Sequence, residues 1–353
     1  MADWSLLHAN LHQTLKQRQL LPKQQRLLVA VSGGQDSLCL IRLLIDLQPK
    51  WDWQLAMVHC NHRWRLDAAA NAEYVCQLAQ DWQIPYFGVV APIPSKSEAA
   101  ARHWRYQVLT EIAVAQNYAY VVTGHTASDR AETLLYNLIR GSGTDGLQAL
   151  SWQRALGNTV QLIRPMLAIT RAETAAFCQA AHLKIWEDTT NYDCQYARNR
   201  IRAEVLPYLI THFNPQVEQT LSQTAELLQA DVNYLEAATD TLWQQVIDEA
   251  SSEAEQNLAS RELSQSVLPV LPIMVHRVRL RAAPLALQRR VLRRVLQHVL
   301  STAPNYEHIE KLLLLLNAPN RSQTDPFPGG MIAQVRGDWI QLISLATPSN
   351  KHP

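Results

Sequence analysis

Between Arg26 and Ile163, short apolar runs alternate with stretches of helical periodicity, and this alternation restricts the chain more than any other feature. The runs are Leu27 to Val31, Leu55 to His59, Tyr86 to Val90, Ala119 to Thr123 and Val160 to Ile163. Between the first two, Leu38 to Leu47 repeats its apolar residues at helix spacing. Successive strands separated by helices pair in parallel, and both faces of the resulting sheet are then covered. The pattern predicts an α/β domain whose ligand lies at the carboxyl ends of the strands.

The texture changes near Asn214-Pro215, an N-cap and N1 pair that opens one long helix or two packed ones. Val217, Leu221, Leu228, Val232, Leu235, Leu242 and Val246 form its apolar stripe, suited to a core or, alternatively, to a homodimeric coiled coil. The formal net charge of +1 conceals a partition. Residues 211–260 hold nine acidic and no Lys or Arg residues, whereas 261–353 hold 12 basic and five acidic ones. The expected organisation is a catalytic domain over 1–210, an acidic helical linker over 211–260 and a basic domain over 261–353. The last is expected to be small and mostly helical and to end in a β-hairpin. Its strands are Met331–Val335 and Trp339–Ile343, around Arg336-Gly337-Asp338, which reads as turn chemistry rather than an adhesion motif. Five cysteines without a C-x-x-C pair argue against a disulfide framework. The absence of a signal-like N-terminus or a long apolar run points to the cytoplasm.

The strongest local signal is Ser32-Gly33-Gly34-Gln35-Asp36-Ser37, between the first strand and its helix. Glycines allow backbone amides to approach a phosphate, and the helix start supplies further donors and a favourable dipole. Ser32 and Ser37 add hydroxyls. Asp36 would repel phosphate without an intervening cation, so it is assigned to Mg²⁺. No Gly-Lys-[Ser/Thr] follows, so this is not a Walker A loop. Gly141-Ser142-Gly143-Thr144-Asp145-Gly146 matches a dinucleotide fingerprint in letters but follows a helical run rather than a strand.

The hexamer resembles the pyrophosphate loop of the nucleotide alpha hydrolases, which cleave ATP to AMP and pyrophosphate. Four further segments are similar to the tRNA(Ile)-lysidine synthetases. They are His59 to Arg65, Ala101 to Tyr106, Thr123 to Leu147, and Arg164 to Arg202, in the family's order. The C-terminal LQRRVLRRVLQ, PGG and hairpin resemble that family's substrate-binding domain, without the additional domain of longer members. The resemblance implies a Rossmann-like catalytic domain and ligation of free lysine to C2 of the wobble cytidine of tRNA(Ile) bearing CAU. The cytidine O2 first attacks the α-phosphate of ATP, and the lysine amine then expels AMP. Competing readings are a tRNA thiolase of the same superfamily and a non-catalytic RNA-binding relative.

On this reading Ser32, Gly33, Gly34, Gln35, Asp36, Ser37 and His59 bind ATP. Lysine arrives as an ammonium of pKa ~10.4 and needs acidic acceptors. Asp129 and Glu132, at i and i+3 on one helix face, match that need. Helix capping would explain the pair equally on spacing alone. Arg102 and Arg105, also three apart, and Arg198 and Arg202, one turn apart, suit a transferring phosphoryl group or an RNA backbone. His59 and His62 lack a third ligand for zinc, and the resemblance puts this strand end, with Arg65, near the nucleotide. Asp188, Asn191 and Asp193 match the family, but ordinary turns explain them as well. Arg289, Arg290, Arg293 and Arg294 have no acidic partner at helix spacing and are expected to hold tRNA phosphates.

Overall fold

The computed structural model describes residues 4–64, 67–94, 97–187, 197–249 and 273–344 of the 353-residue chain. Arg65, Asp188, Asn191, Asp193 and the end of the acidic stretch lie outside them. The chain divides into two compact units, Met1–Ala230 and Asp231–Pro353. The division falls inside one helix, between the linker boundaries read from the sequence. Among the described residues, no helix is long and apolar enough to cross a membrane.

The first unit is built on a six-stranded sheet in the order β3-β2-β1-β4-β6-β5. Its strands are β1 (Arg26–Ala30), β2 (Gln54–Asn61), β3 (Tyr86–Val90), β4 (Tyr120–Thr123), β5 (Gln153–Leu156) and β6 (Val160–Ile163). All pairs are parallel except β5–β6, an edge hairpin of which the sequence pattern shows only β6. Arg154 and Gln153 leave β5 too polar and exposed to read as a buried strand. The centre of β1 is fully buried at Leu27, Leu28 and Val29. Each such leucine contributes about 1.5–3 kcal/mol against exposure. One face of the sheet packs α1 (Leu6–Arg18) and α2 (Gln35–Trp51) into the larger core. Leu109, Ala113 and Tyr118, on and just after α4 (Glu98–Ala115), join Leu28, Val58 and Val121 in a second core. The order reverses at β1, which places a crevice between the carboxyl ends of β1 and β4.

The stripe of α10 (Val217–Val246) is used within the chain. In the first unit, Val217 and Leu221 pack near Ala131, Ile201 and Leu206. In the second, Leu242, Trp243 and Val246 join the core of that unit. The second unit also holds α11 (Arg277–Ala282), α12 (Leu285–Val299) and α13 (Tyr306–Leu315). Its sheet is more than the expected hairpin. β9 (Met331–Arg336) and β10 (Trp339–Ser344) pair as read, and β8 (Ile273–His276) and β7 (Ile247–Glu249) extend them antiparallel.

The arginines of α12 have acidic partners that helix spacing does not reveal. Glu236 accepts ion pairs from Arg290, Arg293 and Arg294, Asp240 takes Arg294, and Glu310 takes Arg289. The partners come from other helices, so i±3 and i±4 spacing could not find them. Arg290 is only 8% exposed, which argues against a phosphate contact. Breaking a buried pair strands a charge. Glu236→Gln is therefore expected to cost about 2 kcal/mol, at the low side because Glu236 itself is partly solvated. Urea midpoints read this effect, and an unchanged midpoint would show that the cluster is not stabilising.

Candidate active site

Ala30, the last residue of β1, pairs with Val58 on one side and Thr123 on the other. The loop that follows therefore enters the crevice. Gly33 adopts φ +86°, and a Cβ there would lie 2.5 Å from the Asn71 side-chain oxygen. Gly124, after β4, lies so close that a Cβ would sit 2.8 Å from the Asp36 carbonyl. The loop's carbonyls are engaged by protein donors. Val31 O bonds His59 Nδ1 at 2.8 Å, Ser32 O accepts from Asn71 Nδ2 at 3.0 Å, and Gly33 O accepts from the Trp186 amide at 3.0 Å. The Ser37 hydroxyl donates to Gly34 O at 2.9 Å and lies 3.1 Å from the Ser32 hydroxyl. With these acceptors satisfied, the first-turn amides of α2, which have no partner within the helix, are the groups left for an anion.

Gln35 and Asp36 turn toward α7 (Arg171–Ala180). Gln35 Nε2 donates to Arg171 O and Thr174 Oγ1, both at 2.7 Å, and the Thr174 hydroxyl donates to Asp36 Oδ1 at 2.5 Å. Gln35 thus fastens α2 to α7.

Asp129 and Glu132 lie on α5 (Ala127–Ile139), next to this point. Asp129 Oδ2 accepts from the amide of Thr126 at 2.8 Å, closing a capping box, so its capping role is real. Its Oδ1 faces Arg171 Nη2 at 3.1 Å. Arg171 Nε lies 3.1 Å from Asp36 and its Nη1 3.5 Å from Glu132. One guanidinium thus spans all three carboxylates. Glu132 is buried, and Arg202 grips it in a fork of 2.6 and 2.7 Å. The sequence suggests Arg202 as a clamp for phosphate or the RNA backbone; here its fork holds a carboxylate. Burial raises the pKa of Asp36 despite Arg171, and also raises that of Glu132 despite Arg202. For Asp129 burial pushes upward too, but Arg171 and the Thr126 amide outweigh it and hold the carboxyl below its usual range.

A basic side faces this acidic one. Burial lowers the pKa of Arg102, and Arg198, Arg105 and Arg164 add to the fall, which places those three within electrostatic reach of Arg102. Arg102 lies 5.1 Å over the Tyr106 ring. Arg198 Nη2 donates to Thr133 Oγ1 at 3.4 Å. His125 pairs with Thr123 Oγ1 at 2.9 Å, and its pKa falls to about 3, chiefly through burial and then Arg164 and Arg102 against the opposing pull of Asp129. The His62 ring packs against Trp64 and Trp104 and falls to about 4 through burial, Arg105 and His59. Both rings are therefore neutral when folded. Their unfolded forms protonate near pH 6.5, so stability should fall as pH drops from 6.5 toward 4. His62→Gln should flatten a melting-temperature profile over that window, and a profile parallel to the unaltered protein's would refute the shift.

The structure therefore gathers Asp36, Asp129, Glu132 and Arg202 at one edge, and Arg102, Arg105 and Arg198 beside it. Sequence reasoning missed Arg171, Arg164, Tyr106 and His125. A Thr170–Glu173 capping box opens α7, but nothing local in the sequence reveals where Arg171 reaches. Gly141–Gly143 lies between α5 and α6 (Thr144–Leu147), not after a strand. Among the described residues no cluster of His, Cys, Asp or Glu forms a protein-only metal cage.

Residues 6–209 match the model of the PP-loop domain, and 276–338 match the TilS substrate binding domain. A tRNA(Ile)-lysidine synthase from Nostoc sp. strain PCC 7120 is 59% identical over 98% of this chain and 99% of its own. One from Synechocystis sp. strain PCC 6803 is 50% identical, covering 96% and 98%. A chloroplastic one from Zygnema circumcarinatum is 35% identical, covering 92% and 83%. Among solved structures, the U34-tRNA thiolase NcsA from Methanococcus maripaludis with its [4Fe-4S] cluster superposes with a TM-score of 0.53. It is 18% identical and covers 63% of this chain and 78% of its own, a likeness of fold alone.

Proposed function

The chain belongs to the tRNA(Ile)-lysidine synthase family, and from that premise we propose how its residues divide the work of joining lysine to the wobble cytidine of tRNA(Ile). The reaction consumes ATP and forms a carbon–nitrogen bond. The first-turn amides of α2, with the Ser32 hydroxyl, hold the leaving pyrophosphate; Ser37 braces the loop through Gly34 O, and His59 keeps it in register through Val31. Arg102, Arg105 and Arg198 stabilise the charge that builds on the α-phosphate as cytidine O2 attacks. Asp36 would hold a phosphate-bound Mg²⁺: its Oδ1 accepts from Thr174 and its Oδ2 pairs with Arg171, and a carboxylate oxygen can take more. Bound there, it would neutralise the triphosphate.

Asp129 receives the ammonium of lysine. Glu132, gripped by Arg202, is a fixed negative charge behind it. The amine must shed a proton before it attacks C2, and Asp129, kept ionised beside Arg171, is the acceptor that holds it. Arg171 holds the three carboxylates together until the substrate cation arrives and shares them. The observation that carries this reading is that Asp36 of the loop and Asp129 of the neighbouring helix share one guanidinium. The halves of the reaction therefore meet at one point.

The order can be tested with α-labelled ATP and unmodified tRNA(Ile). Without lysine, the label should enter tRNA as an adenylate; adding lysine should release AMP. AMP release from ATP and lysine without tRNA would exclude this sequence.

A further inference from the structure

We propose that the hairpin end of the second unit is a phosphate-binding cleft that grips the RNA backbone, an inference resting on the tRNA-directed reading above. Asn320, Arg321, Gln334, Arg336 and Gly337 line an open cavity of about 380 Å³. Asn320 and Arg321 precede β9, Gln334 and Arg336 lie on it, and Gly337 starts the turn to β10. Two bonds fix the cleft. Arg321 N donates to Val335 O at 2.9 Å, and Gly337 N donates to the Asn320 side-chain oxygen at 2.9 Å.

The hydrogen-bond inventory makes this an anion site. Asn320 Oδ1 already accepts from the Gly337 and Arg321 amides, and Gln334 Oε1 accepts from Arg336 Nε at 3.2 Å. Both amide oxygens are thus spent inward, which leaves the amide nitrogens as remaining donors. Arg321 and Arg336 are exposed, and among the described residues neither guanidinium is in an ion pair. The lining side chains thus offer donors and two positive charges. Asp338, the acid that follows, is exposed and is not among the residues that line the cavity. Guanidinium forks with amide donors suit phosphate oxygens, and an open cleft suits a backbone that runs past. The contrast with α12 supports the choice, because the arginines there are neutralised by Glu236, Asp240 and Glu310.

The test is binding of labelled, unmodified tRNA(Ile) to the full chain across a salt series. Arg321→Ala/Arg336→Ala should weaken binding about 10-fold or more and reduce the log–log salt slope by about 1.5–2, the signature of two lost phosphate contacts. Arg321→Lys/Arg336→Lys should keep the slope. ATP binding should not change in either variant. If the unaltered chain forms lysidine and the alanine variant keeps its affinity and slope, the cleft fails while the functional reading stands. If the unaltered chain binds no tRNA, both fail. Competition by low-millimolar inorganic phosphate would indicate a small-anion site and overturn the RNA assignment.

Discussion

Asp36→Asn should lower AMP formation by roughly 10³-fold while leaving the chain folded. Asparagine is isosteric, and its side-chain oxygen can still accept from Thr174, so the α2–α7 junction keeps its tie. What disappears is the negative charge at the phosphate loop. Arg171 would then face two carboxylates rather than three. Single-turnover AMP formation separates this effect from product release. A loss below about 10-fold would mean that Asp36 organises α7 but does not act on the nucleotide.

Asp129→Asn should raise the KM for lysine about 10–100-fold, the range for losing a charged hydrogen-bond acceptor. Adenylation of tRNA without lysine should stay within a few-fold. The substitution suits the question because the asparagine oxygen can still take the Thr126 amide and preserve the helix cap. Glu132→Gln is a poorer probe, because it would strand the fork of Arg202 in a buried place. A fall in kcat with an unchanged KM for lysine would point to a structural role for Asp129, and the ammonium would need another partner.

The parallel sheet, the phosphate loop and the Asp129/Glu132 pair were legible because each depends on local chemistry. Alternating apolar runs encode strands and helices, a glycine turn after a strand encodes an anion site, and i, i+3 spacing encodes a shared helix face. Legibility ended where a partner came from far along the chain. Arg171 reaches carboxylates on α2 and α5, separated by up to 135 residues. The α12 arginines look unpaired because their acids lie on α10 and α13, two of them, Glu236 and Asp240, inside the stretch read as a linker. The charge partition was therefore correct as a count, but part of it is internal neutralisation rather than attraction for RNA. Strands β5, β7 and β8 escaped for a different reason. They are three or four residues long, at or near sheet edges, and too short for a period of two to stand out.

The most direct measurement is to incubate the chain with unmodified tRNA(Ile) bearing CAU, ATP, Mg²⁺ and isotope-labelled lysine, and to examine the wobble nucleoside by mass spectrometry. The account predicts a cytidine that has gained one labelled lysine and lost one water, with AMP formed in equal amount. An unchanged cytidine, or a wobble base that has gained sulfur instead, would contradict it.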